Sequence, residues 1–170
     1  RMRFTALIAL IGAAATRFLL IPNGSAVLAA NTLSGTWFRK PWMQILLPLA
    51  VLYASDLVLN NTVYAAYSEG FAWGFADSLG IYAAHLAVLA YAQLAKPKAE
   101  GLAWIGHSAA SNLIFFGLSN LAVWYVGNGM SLPATYVAAL PFLGISFGAT
   151  TLWGYAMGFA LQRVERTANA

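Results

Sequence analysis

Five ionisable side chains stand inside apolar runs of this sequence: Arg17, Asp56, Asp77, His85 and His107. Placing each in hydrocarbon costs at least about 2.5–3.5 kcal/mol on insertion scales, so each is expected to face a protein interior or a wet cavity. Arg17 and Asp56 fall at similar depth in separate runs, where two outcomes are open. They form a charge pair, or each snorkels to the headgroups on its own. Asp77, about a third of the way into its run, is either a ligand contact or a carboxylate at the wet mouth of a helix bundle, with Glu69 as its loop neighbour. His85 is expected to hydrogen-bond across helices, and His107 to sit at an interface. Two histidines with no third ligand at a recognisable spacing make a weak metal site.

Amides raise the same question. The stretch "HSAASNLIFFGLSNLAVWYVG" (107–127) repeats Ser-Asn within an apolar run. At 100° per residue, Asn112 and Ser119 fall within about 20° of each other and Asn120 about 80° away, so the three mark one broad polar stripe. Interhelical hydrogen bonding is the ordinary use of such groups. Asn112 is expected to knit this helix to a neighbour. Asn120 falls at the level of Asp56 and Asp77, with Trp124 and Tyr125 one turn further out as aromatic walls for a planar ligand or as belt residues.

The elements that position these residues follow from composition. The 170 residues are 61% hydrophobic and 8% charged, with mean hydropathy +0.69. Soluble domains carry about a quarter charged residues, so this is read as an integral membrane protein with one membrane domain over 1–170. The net charge of +4 comes from scattered basic pairs rather than a nucleic-acid patch. There is no cysteine, which excludes disulfides and thiolate metal sites. Phosphate-loop, HExxH and nucleophile-elbow motifs are absent, as is any credible acid/base pair, so the reading is not an enzyme, and the sequence leaves any cofactor unknown.

A spanning helix needs roughly 20 apolar residues. Segments 3–21, 42–59, 71–95, 102–127 and 141–163 qualify directly. The first, with its basic flanks, is read as a membrane helix rather than a signal peptide. Segment 24–38, "GSAVLAANTLSGTWF", is short and rich in small residues, fit for a short tilted span or a re-entrant piece. Loop charge decides between these. If 24–38 spans, Arg1, Arg3, Arg39, Lys40, Lys96, Lys98, Arg163 and Arg166 share one side, eight of the nine basic residues. If it does not, the clusters split evenly. The expected architecture is an all-α, six-transmembrane-helix bundle with both termini cytoplasmic. Pro133 and Pro141 bracket an apolar piece, expected to form a short outer helix or lid that turns at Pro141 into the last span. Span 1 presents small residues at Ala6, Ala9, Gly12, Ala13 and Thr16, a smooth face for close helix approach.

The segments "IPNGSAVLAAN" (21–31), "LLPLAVLYASDLVL" (46–59) and "SNLIFFGLSNLAVWY…LPATYVAALPFLGISFGATTL" (111–152) resemble a small family of uncharacterised bacterial membrane proteins. That family is similar to the substrate-binding S components of energy-coupling-factor (ECF) vitamin transporters. The resemblance implies a six-helix bundle opening a loop-capped ligand pocket to the outside. It also implies an Ala-x-x-x-Ala contact with a transmembrane coupling subunit, a spacing that Ala9 and Ala13 fit. Related sequences often carry Gly-Asp where this chain has Gly148-Ala149, so an acid is missing there.

Two functions are carried forward. The first is an S-component-like subunit for vitamin or micronutrient uptake, with Asp56, Asp77, Asn120 and Trp124 as pocket residues and Arg17 as an anion partner. It would hand its ligand to a coupling subunit with ATPases. The second is an accessory subunit of a larger respiratory or photosynthetic membrane complex, reusing the fold for packing and lipid or pigment contacts.

Overall fold

In hydrocarbon, backbone N–H and C=O groups find partners only in helices or closed barrels, and this chain takes the helical solution. The computed structural model describes residues 4–74 and 78–168. Among them are six α-helices and no strand: α1 (Phe4–Ala15), α2 (Val27–Trp37), α3 (Pro41–Asn61), α4 (Leu79–Ala95), α5 (Gly101–Val126) and α6 (Leu132–Ala168). A 3-10 turn, Thr16–Leu19, extends α1. Among the described residues, three helices, α3, α5 and α6, are long and apolar enough to cross a membrane. Large apolar side chains such as Phe4, Leu94, Leu102 and Val126 are exposed around the outside, as a lipid-facing surface requires.

Short, central α2 organises the rest. Its 11 residues rise about 16 Å at 1.5 Å per residue, roughly half of a ~30 Å hydrocarbon core. Every residue from Val27 to Trp37 except Thr36 is buried. Small side chains make this enclosure possible. Gly35 lies so near α4 that a Cβ there would overlap the carbonyl oxygen of Ala92. The broadest helix contacts are α2 with α4, α4 with α5, and α5 with α6.

Polar side chains are stitched between these helices. Asn31 Nδ2 donates to His85 Nδ1 at 2.8 Å, joining α2 to α4. Thr32 Oγ1 lies 2.8 Å from Ser111 Oγ, joining α2 to α5. Ser146 donates to Asn112 Oδ1 at 2.6 Å, and Trp104 Nε1 to Thr151 O at 3.0 Å, along the α5–α6 seam. Both expected interhelical roles, for His85 and for Asn112, are found. His107, partly buried, pairs with the hydroxyl of Tyr91 at 2.6 Å.

Two expected boundaries are corrected. Residues 133–140 are no separate outer helix, because α6 runs unbroken through Pro141. A proline removes one backbone hydrogen bond, a loss that membrane helices tolerate when neighbours hold the adjoining turns. Here Tyr136 donates to Gly117 O at 2.6 Å and Asn128 Nδ2 to Thr135 Oγ1 at 2.9 Å, fixing the turn before Pro141 against α5. Likewise, helix α4 starts at Leu79 rather than near 71. Asn61 captures both backbone groups of Ala72, its Nδ2 donating to Ala72 O and its Oδ1 accepting from Ala72 N. Gly74, with φ +82°, is in a conformation no right-handed helix admits.

Arg39, Lys96 and Lys98 line one recess together with Thr5 near the start of α1 and Glu165 near the end of α6. Both ends of the described chain therefore share the basic end of the bundle. The helix contact between α2 and α4 yields a test. Gly35→Ala should destabilise the protein by about 1–3 kcal/mol, the usual cost of overpacking a tight core. Gly12→Ala, where nothing stands within 4 Å, should leave it unchanged or slightly stabilised. Thermal unfolding of both variants in detergent checks this, and equal behaviour of the two would contradict the close α2–α4 approach.

Candidate functional site

At the end opposite the basic residues, α1, α3 and α4 bring three titratable side chains together. The 3-10 turn carries Arg17 toward α3, where Nη2 lies 2.6 Å from Asp56 Oδ1. Nη1 donates to Ser55 Oγ at 2.5 Å and to Leu52 O at 3.4 Å. Asp56 accepts a second hydrogen bond from the Tyr82 hydroxyl of α4. Arg17 and Asp56 are 24% and 17% exposed. At that depth each charge is better matched by its partner than by headgroup water, so pairing prevails over separate snorkelling. Asp77 lies outside the described residues.

Beside this cluster opens a cavity of about 370 Å³, lined by Arg17, Tyr64, His85, Phe115, Ser146 and the 20–25 loop, among others. A second lobe of about 320 Å³ is lined by Asn112, Phe116, Ser119, Asn120 and Phe142, and shares Asn23, Ile81, Phe115 and Ser146 with the first. Each volume lies within the range of small-molecule sites. The loop is held in place from both sides. Thr16 Oγ1 donates to Ala13 O at 2.6 Å and accepts from Ala26 N at 2.8 Å, while Trp153 Nε1 donates to Gly24 O at 2.9 Å. Leu20 and Asn23 adopt left-handed backbone, φ 56° and 55°. Asn tolerates this conformation well, but Leu does not, which marks the turn as locally strained.

The chemistry of the lining follows from its bonds. With the Asn31 amide in this orientation, Nδ1 of His85 accepts from Nδ2, the ring carries its hydrogen on Nε2, and the side chain lines the first lobe. Asn31 Oδ1 has no partner in this arrangement. The ring leans on Phe115, centroids 4.7 Å apart. Asn120 Nδ2 donates to Phe116 O at 2.9 Å, which leaves its Oδ1 as an acceptor. Arg17 has N–H groups beyond those it uses, but its charge is balanced by Asp56. The cavity thus combines aromatic walls with isolated donors and acceptors and no net charge.

The sequence-derived residues are therefore not all in one place. Arg17 lines the first lobe and Asn120 the second, while Asp56 stands behind Arg17. The expected convergence of Trp124 with Asp56 does not occur: Trp124 is 38% exposed and, among the described residues, lines neither lobe. One helical turn separates it from Asn120, and that turn carries it past the rim. Ala13 is buried in the chain's own core and Ala9 is partly buried against it. Both line an apolar groove between α1 and α6. Tyr82 and Ser146 were not singled out by the sequence. A tyrosine near a helix end looks like a belt residue, and a lone serine in a glycine-rich run carries no signal.

The family model described as "Family of unknown function (DUF6580)" matches residues 1–169. No curated protein and no solved structure matches the chain.

Breaking the Arg17–Asp56 pair leaves a charge without its partner in a poorly solvated place, which costs more than removing both. Asp56→Leu and Arg17→Met should each destabilise the protein by about 1–3 kcal/mol, the partial exposure keeping the loss below that of a fully buried pair. The double variant should recover at least part of this loss. Chemical unfolding in detergent through the full double-mutant cycle measures the coupling, and strictly additive losses would mean the pair is energetically idle.

Proposed function

Because the chain belongs to the DUF6580 family, a family of unknown function, we propose a role from the site itself: a substrate-binding membrane subunit of a micronutrient uptake system, similar to an ECF S component. The observation that carries this reading is the two-lobed cavity at the end away from the basic residues, roofed by the 20–25 loop. By the positive-inside rule, the end bearing Arg39, Lys40, Lys96, Lys98, Arg163 and Arg166 is cytoplasmic, so the cavity opens outward. In this reading the six helices make six passes of a bacterial inner membrane, with α2 buried in protein at half length.

The lining also narrows the ligand. A balanced Arg17–Asp56 pair, one His85 donor and one Asn120 acceptor between phenyl rings suit a small, neutral, partly aromatic molecule better than a free anion. The coupling partner would be a separate membrane subunit with its ATPases, meeting the Ala9–Ala13 face of α1.

A second reading has its own supporting observation. The groove lined by Ile8, Ala9, Gly12, Trp153 and Met157 is almost wholly apolar and about 450 Å³ in volume. It suits a helix of a larger membrane complex, for which this chain would be an accessory subunit.

Mass spectrometry of protein purified in mild detergent separates the two. A small molecule recovered with wild type, and reduced at least tenfold in folded His85→Phe and Asn120→Leu variants, is the expected result. Recovery in fixed ratio with large complex subunits and no small molecule would favour the accessory role instead.

A further inference from the structure

The opposite end of the bundle holds a larger recess, about 610 Å³, that the uptake reading does not use. It opens where α2 and α4 end and α3 and α5 begin. Arg39, Lys96 and Lys98 line it, and among the described residues none of their side chains has an ion-pair or hydrogen-bond partner. The acids on its wall are already engaged. Glu100 accepts from Gln162 Nε2 at 2.8 Å, and Glu165 also has a partner. Three cations without side-chain partners therefore face a recess that holds two carboxylates, which leaves its lining with a net positive charge.

The helix ends strengthen the same sign. The two negative ends are satisfied. Gln44 Nε2 donates to Gly35 O at 3.1 Å and Phe38 O at 2.6 Å, closing α2. Lys96 N donates to Ala92 O at 2.9 Å, closing α4. No side chain caps the starts of α3 and α5, so the positive ends of both helix dipoles stand beside the recess without a compensating group. Lys96 is held there in left-handed backbone, φ 45°, and the next carbonyl, Pro97 O, is fixed by Thr36 Oγ1 at 3.0 Å.

We propose that this recess binds the phosphate headgroup of an anionic phospholipid. A phosphodiester answers several cations at once. The rim favours a lipid over free phosphate. Trp42, Leu94 and Leu102, at the starts of α3 and α5 and the end of α4, are 53%, 88% and 83% exposed. They give acyl chains an apolar surface beside the charged recess. The site is independent of the outer cavity and of any transported ligand.

Native mass spectrometry tests it on full-length protein in nanodiscs of equal phosphatidylglycerol and phosphatidylcholine. Wild type should retain phosphatidylglycerol selectively. The triple variant Arg39→Gln/Lys96→Gln/Lys98→Gln should lose at least tenfold of that selectivity, in line with the strength of single basic contacts at a membrane surface. Arg163→Gln/Arg166→Gln removes two charges from the same end without touching the recess and should keep it. Monodisperse elution and unchanged thermal unfolding show that both variants are folded. Equal loss in the two variants, or undiminished selectivity in the triple variant, overturns the proposal. So does release of the lipid by millimolar inorganic phosphate that then stabilises the protein to the same degree, because the occupant is then a soluble anion.

Discussion

A polar group enclosed in an apolar bundle must find its partner within the protein, and nowhere does this press harder than on α2. The helix carries Asn31, Thr32 and Ser34 into full burial, far from any solvent that could satisfy them. Asn31 finds His85 on α4, Thr32 lies beside Ser111 on α5, and Ser34 turns back to Asn31 O at 2.8 Å. Such bonds contribute only about 0.6–2 kcal/mol each in membranes, but they are directional. They therefore fix how α4 and α5 are rotated around α2, which close packing of alanine and glycine alone would leave loose.

That rotation in turn builds the outer cavity. Once His85 is committed through Nδ1 to α2, its ring is held against Phe115 at the wall of the first lobe. Asn112 is spent on Ser146, whereas Asn120, two turns further along α5, keeps its acceptor for the second lobe. The Arg17–Asp56–Tyr82 cluster closes the same end by tying α1, α3 and α4 together. At the other end the logic inverts: helix starts without side-chain caps and cations without partners leave a recess with a net positive charge.

Much of this architecture was legible in the sequence, for identifiable reasons. Long apolar runs without Gly-Asn interruptions mark α3 and α5 to within a few residues, because helix length in lipid is set by the run itself. The loop charges place the chain's two ends together, since the basic pairs recur with the period of helix reversal. The short length of α2 was visible too, but its central position was not: "GSAVLAANTLSGTWF" says how closely a neighbour can approach, not how many neighbours there are. Local rules failed where tertiary bonds override them. Pro141 reads as a break until Tyr136 is seen pinned to α5 and Thr135 to the loop that follows it, and the start of α4 is delayed by Asn61, a residue in another helix. Site residues were read by depth, which put Arg17 and Asp56 at one level and left pairing or separate snorkelling open, and the structure shows the pair. Depth to within one turn decides the rim, and Trp124, a turn beyond Asn120 on the same face, consequently stands outside the cavity it was expected to line. The basic recess went unread because its residues come from several separate elements, each ordinary by itself.

The central claim is that outer cavity and basic recess lie at opposite ends, on opposite sides of one membrane, with α2 sealed between them. The sequence contains no cysteine, so single cysteines at Asn23, Ala30 and Lys98 can be probed with a membrane-impermeant maleimide in intact and permeabilised cells. The account predicts labelling of Asn23→Cys in intact cells, of Lys98→Cys only after permeabilisation, and of buried Ala30→Cys only after unfolding. Labelling of positions 23 and 98 from the same side would contradict it.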